Sequence, residues 1–438
     1  MPTIKRKPEQ SPIDRLMTAG EVQKWIWPVL LVQLLSIAVP WLVSDNLLMK
    51  NGQVAGSDFI VFYTAAKMAL AGDGLVAYEL KAFMAQQKQV VPGVNLIYPW
   101  LYPPGVLAAM SPLGALSYGA AYLVWNIISA SIFAFGCYRL LPGRLTIPVV
   151  LAVPVVMVCV LHGQVSLILA GLLALMFRFM IDRKLLMAGI MLGLMTLKPQ
   201  IALWFGLPIL AFRLWPMLGG AIIGSLILHG LGFVVFGVDG IRIFLEAGQN
   251  YSTTFKGASL QFPKIPTLVG FVATFDKQMA QSVALASLTG GMFAVLVFSL
   301  KLHRMRQMGR TGLAGPEMYF FAMLVAVIWI SIPYLYHYDL TIAVPAVLVM
   351  LELQRRAGID WPDWLGKAVI VLSVFPMIVV GMNKHLGWFP NIAVLGGIAL
   401  GIIIARLAGP LIAQATADMK EEHQKLRRLK RKGRAEAE

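Results

Sequence analysis

A single carboxylate opens the first helical pattern that follows the first apolar segment of this 438-residue chain. Asp58 stands directly before Phe59, and apolar residues then recur at helical spacing as far as Leu70, with Gly72 as a stop signal. An acid in this place either stabilises the helix N-terminus or acts as a base at a membrane face. The residues of this stretch alone leave both interpretations open.

Further polar residues interrupt or border the later apolar segments. Ionisable groups at membrane depth are costly and usually face a polar cavity, so their convergence indicates a site. Lys198, with His162 or His337, has the charge to neutralise a phosphate group. The remaining candidates are expected to bind a sugar or an acceptor, and they are Tyr63, Tyr98, Trp100, Tyr102, Gln164, Gln200, Asp339, His385 and Trp388.

Each of these residues also has a purely structural explanation. Lys198 could be a snorkelling lysine at the end of a span, and His162 with Gln164 could hydrogen-bond a tight turn. His337 and Asp339 could form a structural pair, and the aromatic residues of the first loop could belong to an interfacial belt. The collection of all of them at one predicted membrane face favours a functional site.

The composition is that of an integral membrane protein. Hydrophobic residues make up 58% and charged residues 13% of the chain, and the mean hydropathy is +0.74, whereas a soluble domain has about 25% charged residues. The apolar segments predict an all-α polytopic fold with about twelve transmembrane helices. We expect a basic N-terminus over 1–24, a single transmembrane domain over 25–410 and a basic tail over 411–438. Within the domain, 45–117 is the first outer loop with amphipathic or re-entrant helices, and 239–281 is the second large outer loop.

The basic residues predict the orientation. When loops are assigned alternately, most of the 37 Lys and Arg residues fall on the face that holds both termini, which makes that face cytoplasmic. The candidate site then lies on the extracytoplasmic face. Leu185–Leu197 would span only about 20 Å as a helix, so Lys198 and Pro199 should be recessed below the outer surface.

These residue types suit the transfer of a sugar from a polyprenyl phosphate. The basic groups would neutralise the departing phosphate, while Asp58 takes the proton of an acceptor hydroxyl on the opposite face of the sugar, in an inverting displacement. No nucleotide-binding loop is visible, which argues against a soluble sugar-nucleotide donor. We expect no metal and no cofactor, and no disulfide between Cys137 and Cys159.

The order of these pieces resembles glycosyltransferase family 87, polytopic enzymes of the GT-C architecture. The matching features are Asp58–Ala66, Tyr102-Pro103-Pro104, His162-Gly163-Gln164, Ala188 to Gln200, and Tyr336–Asp339. The resemblance implies extracytoplasmic transfer of a sugar, typically mannose from polyprenyl-phosphate mannose, with Asp58 as the base. A lipid or glycan would be the acceptor, and a bacterial cytoplasmic (inner) membrane the location. The family more often has Asp where this chain has Glu79, so Glu79 receives no catalytic role.

Two other classes of protein stay open. A transporter or lipid flippase would show inverted repeats and polar groups near the membrane midplane, whereas the polar groups here gather at one face. A scaffold subunit of an envelope-assembly complex would make the spacing of the site residues accidental. The basic tail is expected to rest on anionic membrane lipids, and nucleic-acid binding is not expected despite the net charge of +16. The sequence predicts no oligomeric state.

Overall fold

Apolar helices of very different lengths make up most of the chain. The structure, a computed structural model, describes residues 21–43, 47, 54–94, 98–254, 262–307, 316–361, 364–386 and 390–410. The helices are α1 Glu21–Val43, α2 Phe59–Leu70, α3 Leu80–Val90, α4 Pro104–Met110, α5 Tyr118–Leu140, α6 Thr146–Leu151, α7 Pro154–His162, α8 Ser166–Ile181, α9 Leu185–Leu194, α10 Pro199–Ala202, α11 Gly206–Ala211, α12 Trp215–Thr254, α13 Leu268–Ala273, α14 Lys277–Gln307, α15 Pro316–Ser331, α16 Ala343–Arg356, α17 Trp364–Leu386 and α18 Val394–Pro410. Short 3-10 turns join several of them, including Ser111–Ala115, Met195–Leu197 and His337–Ile342.

Among the described residues, three helices are long and apolar enough to cross a membrane: α5, residues 215–249 of α12, and residues 277–301 of α14. Only 11% of the apolar window of α12 and of α14 is buried inside the chain, so both helices present most of their surface to lipid. Shorter apolar helices pack around them. The predicted number of about twelve spans is not confirmed, because turns and prolines divide several apolar segments into pieces too short to span.

Glycines allow the short helix α9 to lie directly against α12. Gly189 and Gly193 on α9 face Gly220 and Gly224 on α12, and both pairs have the four-residue spacing of close transmembrane helix contacts. A Cβ atom at Gly189 would lie 2.0 Å from the carbonyl oxygen of Met217. This contact holds in place the helix that leads through Met195–Leu197 to Lys198.

Helices α8 and α16 pack side by side, and each joins the candidate site to a charged cluster at its far end. Ser166 begins α8 and Asp339 lies in the turn before α16, whereas Arg178 and Arg356 lie in the last turns. At that far end, fully buried Glu352 accepts hydrogen bonds from Arg355 and Arg356 at 2.7 Å each. A 16-residue helix separates the two ends by about 24 Å.

The helix predicted after Asp58 is α2, but its surroundings differ from the prediction. Instead of one buried face it has nine buried residues among its twelve, and among its residues Lys67 and Leu70 are exposed. The 3-10 turn Ser111–Ala115 and α4 pack against it, so the first predicted loop encloses its own helix. The hydrophobic pattern identified one apolar stripe and could not show that other parts of the loop cover the rest.

Candidate functional site

Asp58 occupies the N-cap position of α2, yet its carboxylate does not cap the helix. The side chain makes no hydrogen bond to the helix backbone. Instead, Nε2 of Gln164 donates to Oδ2 at 2.7 Å, and the hydroxyl of Ser57 lies 3.3 Å from Oδ1. The side chain of Asp58 is half-buried. The capping explanation therefore accounts for the position of Asp58 along the chain and not for the direction of its carboxylate.

The turn His162-Gly163-Gln164 holds the main chain of Asp58. The backbone N–H of Asp58 donates to the carbonyl oxygen of His162 at 3.1 Å. Gly163 has a φ of +68°, and a Cβ atom there would lie 2.6 Å from Cβ of Phe59. Only glycine combines this left-handed conformation with such a close approach. The turn between α7 and α8 and the start of α2 are thus fixed against each other.

Gly163→Ala should lower the free energy of unfolding by about 1–3 kcal/mol more than Gly358→Ala does. Both positions have nearly the same positive φ, +68° and +67°, so both variants carry the strain of a left-handed alanine. Gly358 has open space around its missing Cβ, whereas Gly163 would press on Phe59. Thermal unfolding of the two purified variants measures the difference. Equal stabilities would contradict the close packing of this turn.

Lys198 and Asp339 form an ion pair that is almost completely buried. Nζ of Lys198 lies 2.5 Å from Oδ1 of Asp339, and the two residues are 5% and 3% exposed. The hydroxyl of Ser166 also donates to Oδ1, and the backbone N–H of Tyr336 donates to Oδ2 at 3.2 Å. The sequence predicts that Lys198 is recessed below the outer membrane surface, and the structure shows it buried inside the protein against Asp339, which the sequence predicts to bind a sugar or an acceptor. Both oxygens of Asp339 are occupied.

The two predicted histidines meet beside this pair. Their rings lie edge-on with centroids 5.2 Å apart, and the ring of Tyr338 packs against both. Nδ1 of His162 lies 2.8 Å from the carbonyl oxygen of Val158. Because a carbonyl only accepts, we assign the proton to Nδ1, which leaves Nε2 for a ligand. The Nζ atom of Lys198 lies 5.1 Å from the centroid of the Tyr338 ring, so one aromatic ring connects the histidines and the lysine.

Three tyrosines from loop segments surround the two carboxylates. Burial, and after it the negative charges of Asp339 and Asp58, raise the pKa of Tyr102 well above its usual value. Burial and the same two charges raise the pKa of Tyr338 well above its usual value, and burial foremost raises the pKa of Tyr336 to about 12. All three phenols therefore stay protonated at physiological pH and can donate hydrogen bonds.

Other predicted ligand residues have structural partners. Tyr63 is 4% exposed and donates its hydroxyl to the carbonyl oxygen of Leu116 at 2.8 Å. Trp100 is fully buried against Phe62 and Tyr102, and the backbone of half-buried Tyr98 is hydrogen-bonded to the side chain of Gln87. These aromatic residues support the segment that carries Tyr102 and do not line an open surface.

The structure does not bring all of the predicted residues together. Gln200 and His385 are exposed, and no hydrogen bond joins either of them to the described residues of the site. Trp388 lies outside the described residues. Sequence reasoning missed Ser166, whose only signal was a hydroxyl at the start of an apolar helix two residues after Gln164. It also missed Tyr336 and Tyr338 as individual site residues, although they flank His337.

Within the part of the chain that the structure describes, no three or more His, Cys, Asp or Glu side chains form a group that could hold a metal ion.

Comparison with known protein families identifies one family. The family model described as glycosyltransferase family 87 matches residues 100–333, more than half of the chain. Searches of curated proteins and of solved structures gave no match. The matched segment includes Tyr102, Gln164, Ser166 and Lys198, whereas Asp58 and Asp339 lie outside it.

Proposed function

The chain belongs to glycosyltransferase family 87 and is a membrane glycosyltransferase, and from this premise we propose that it transfers mannose from a polyprenyl-phosphate donor to a lipid or glycan acceptor. The observation that carries the proposal is a half-buried carboxylate beside a basic cluster in which Lys198 and His337 are buried and His162 is half-buried. Among the described residues, Gln164 holds one oxygen of Asp58, and the hydroxyl of Ser57 contacts the other. Lys198, His162 and His337 lie together near it, where a phosphate would need positive charge or hydrogen-bond donors.

The reaction is a single displacement at the anomeric carbon. The acceptor hydroxyl gives its proton to Asp58, and its oxygen forms a bond to the anomeric carbon. The bond between that carbon and the phosphate oxygen breaks, and the polyprenyl phosphate leaves with both electrons. Attack on the face opposite to the phosphate inverts the configuration. Asp339 is the poorer base, because Lys198, Ser166 and the backbone of Tyr336 already occupy its oxygens.

Lys198 has hydrogen-bonding capacity left for the phosphate. Its ammonium group has three N–H donors, of which one reaches Asp339 and one reaches Ser166 at 3.3 Å. The third donor supplies a contact to a phosphate oxygen, and Nε2 of His162 supplies a second one in the imidazolium form, which carries a proton on both ring nitrogens. Because Asp339 already neutralises Lys198, a departing phosphate is stabilised mainly by directed hydrogen bonds and less by net charge.

An apolar cavity of about 90 Å³ supports a donor that carries a lipid. Its lining begins at Leu340, next to Asp339 in the chain, and follows α16 through Val347 to Leu351, about 16 Å by the helical rise. Valines of α6 and α7, the tryptophans Trp329 and Trp361, and apolar residues of α17 also line it. A wall of this composition excludes polar substrates and accepts hydrocarbon.

We place the reaction on the extracytoplasmic face of a bacterial cytoplasmic membrane. The support is the separation along α8 and α16, with the candidate site at one end and Arg178, Arg355 and Arg356 at the other. Arginine clusters at span ends favour the cytoplasm, which supports a site on the outer face. The basic residues at both ends of the sequence support our placing the two termini in the cytoplasm.

A reconstitution assay tests the proposed function. The purified protein is incorporated into lipid vesicles and incubated with radiolabelled polyprenyl-phosphate mannose and a lipid extract, and in a parallel sample with GDP-mannose. We expect label in a new lipid or glycan from the first donor and none from the second. Label that crosses the bilayer without a product would instead identify a flippase, and product from GDP-mannose alone would contradict the donor class.

Lys198→Ala should raise the KM for the prenyl-phosphate donor by about tenfold, because one charge-assisted hydrogen bond to the phosphate is lost. The KM for the acceptor should change little. The matched control is Lys81→Ala, which removes an exposed lysine of α3. Initial rates of the folded, reconstituted proteins give both constants. An unchanged donor KM in Lys198→Ala would leave Lys198 with a structural role as the partner of Asp339.

A further inference from the structure

Gln164 uses both ends of its side-chain amide inside the candidate site. The residue is 6% exposed and lies in the turn between α7 and α8. Its Nε2 atom donates to Oδ2 of Asp58 at 2.7 Å, and its Oε1 atom accepts from the hydroxyl of Tyr102 at 3.1 Å. The amide therefore connects the carboxylate to a tyrosine of the first loop.

Chemistry fixes the direction of both hydrogen bonds. An ionised carboxylate only accepts, so the amide nitrogen must face Asp58. The buried, protonated hydroxyl of Tyr102 then donates to the amide oxygen. If the amide turned over, it would place its oxygen against the carboxylate and its NH2 group against the tyrosine hydroxyl, and the bond to Asp58 would be lost. The carboxylate of Asp58 thus sets the orientation of the amide, and Tyr102 stabilises that orientation by donating to the amide oxygen.

The main chain of Gln164 is held as firmly as its side chain. The backbone N–H of Gln164 donates to the carbonyl oxygen of Cys159 at 3.1 Å, and the thiol of Cys159 donates to the carbonyl oxygen of Gln164 at 3.4 Å. Both bonds tie the residue to the last turn of α7. Because the backbone of Gln164 is fixed, its side chain can hold the carboxylate of Asp58 in one position.

We propose that Gln164, with its amide held by Tyr102, is a positioning residue that fixes Oδ2 of Asp58 and directs Oδ1 towards the acceptor hydroxyl. This inference rests on the proposed function and adds to it the identity of the oxygen that takes the proton. It also changes the role expected from the sequence, because an amide with both ends occupied has only one N–H left for a sugar or an acceptor. The hydrogen bonds to Asp58 and Tyr102 explain why a glutamine occupies this position, whereas sugar binding alone does not explain it.

Several titratable groups lie around Asp58, and any of them that titrates in the assay range contributes to the measured pH–rate profile. Tyr102 comes from the first loop, Tyr118 from α5, and Tyr336 and Tyr338 from the segment before α16. His162 accepts the backbone N–H of Asp58 through its carbonyl oxygen, and the Lys198–Asp339 pair lies beyond Tyr338. Because burial raises the pKa of Tyr102, Tyr336 and Tyr338, these three phenols stay protonated over the assay range. The histidines are the same in every variant below, so a shift in Gln164→Ala or Tyr102→Phe, which add no titratable group, reports on Asp58, whereas a shift in Gln164→Glu reports on the pair of carboxylates.

The test compares kcat, KM and the acid limb of the pH–rate profile in Gln164→Ala, Gln164→Glu and Tyr102→Phe. For Gln164→Ala we expect a fall in kcat of about 10- to 100-fold with the donor KM within about twofold, because the base is misplaced while the phosphate site stays intact. The ionised form of Asp58 also loses a hydrogen bond, so the acid limb should move to higher pH by roughly one unit. Gln164→Glu puts a second carboxylate beside the first, and its acid limb should move further in the same direction. Tyr102→Phe should show the same changes at a smaller size.

The control is Gln354→Ala, which removes another buried glutamine, one that donates to the carbonyl oxygen of Leu407 at the far end of α16. It should leave the acid limb where it is, since a loss of packing alone does not move the limb. Acid limbs of both Gln164 variants that coincide with the wild type, or losses confined to KM, would overturn the proposal. If Gln164→Ala does not fold, an unchanged kcat and acid limb in Tyr102→Phe would overturn it. A wild-type protein without activity on any prenyl-phosphate donor would contradict the proposed function, and this inference with it, before any variant is made.

Discussion

Asp58→Asn should abolish sugar transfer, with a fall in kcat of about a thousandfold, while insertion into the membrane and donor binding stay normal. Asparagine has the same shape, and its side-chain oxygen can still accept the hydrogen bond from Gln164. The fold should tolerate the change, since Asp58 makes no capping hydrogen bond to α2. What the amide cannot do is take the proton of the acceptor hydroxyl. Initial rates in reconstituted vesicles measure the loss, and retention of a labelled donor measures binding.

Asp73→Asn is the matched control for this variant. Asp73 is an exposed acid of the same predicted loop, and it also precedes a helical turn without capping it. Its variant should transfer sugar at the wild-type rate. A rate for Asp58→Asn within about threefold of that control would remove Asp58 from the role of base and return it to a position at a helix start.

Asp339→Asn should destabilise the protein by about 3–5 kcal/mol, because it leaves the buried ammonium group of Lys198 without a negative partner. The amide can accept one hydrogen bond but cannot balance the charge at 5% exposure. The hydroxyl of Ser166 and the backbone N–H of Tyr336 would also compete for its single acceptor oxygen. Thermal unfolding in detergent and the yield of folded protein measure the effect.

The chain offers an exposed ion pair for comparison. Asp239 and Arg242 lie 2.9 Å apart with both side chains 65% exposed, so water already screens their charges. Asp239→Asn should change stability by about 1 kcal/mol or less.

The double variant Lys198→Met/Asp339→Leu should recover most of the stability lost in Asp339→Asn, because no charge is left buried. If Asp339→Asn proved as harmless as Asp239→Asn, the buried pair would not hold these helices together.

The sequence could predict the start of α2 and the residue types of the site, because both depend on local patterns. Asp58, His162 and Lys198 stand at the ends of apolar runs, and polar residues at such places are visible without a structure. Their partners are not visible. Gln164 meets Asp58 across 106 residues, and Lys198 meets Asp339 across 141. A single sequence does not show contacts between residues so far apart in the chain, so it predicts separate roles for Lys198 and Asp339 although they form one pair.

The sequence could not separate core aromatic residues from aromatic residues that line a site. Tyr63 and Trp100 lie in the same predicted loop as Asp58 and have the residue types that bind sugars, but the structure buries both. Burial depends on which segments cover a helix, and that is a property of tertiary packing. The number of membrane spans also depends on tertiary structure. The sequence predicts one span for each apolar segment, whereas the segment after α9 turns at Lys198 and resumes as the short pieces α10 and α11.

The most direct test of the proposed mechanism is the anomeric configuration of the product, determined by NMR. The wild-type protein in vesicles is given a polyprenyl-phosphate mannose of known configuration, and the new glycosidic linkage is identified. We expect a product with the opposite configuration, because Asp58 activates the acceptor for attack on the face away from the phosphate. A product that retains the donor configuration, or no product from this donor, would contradict single displacement with Asp58 as the base.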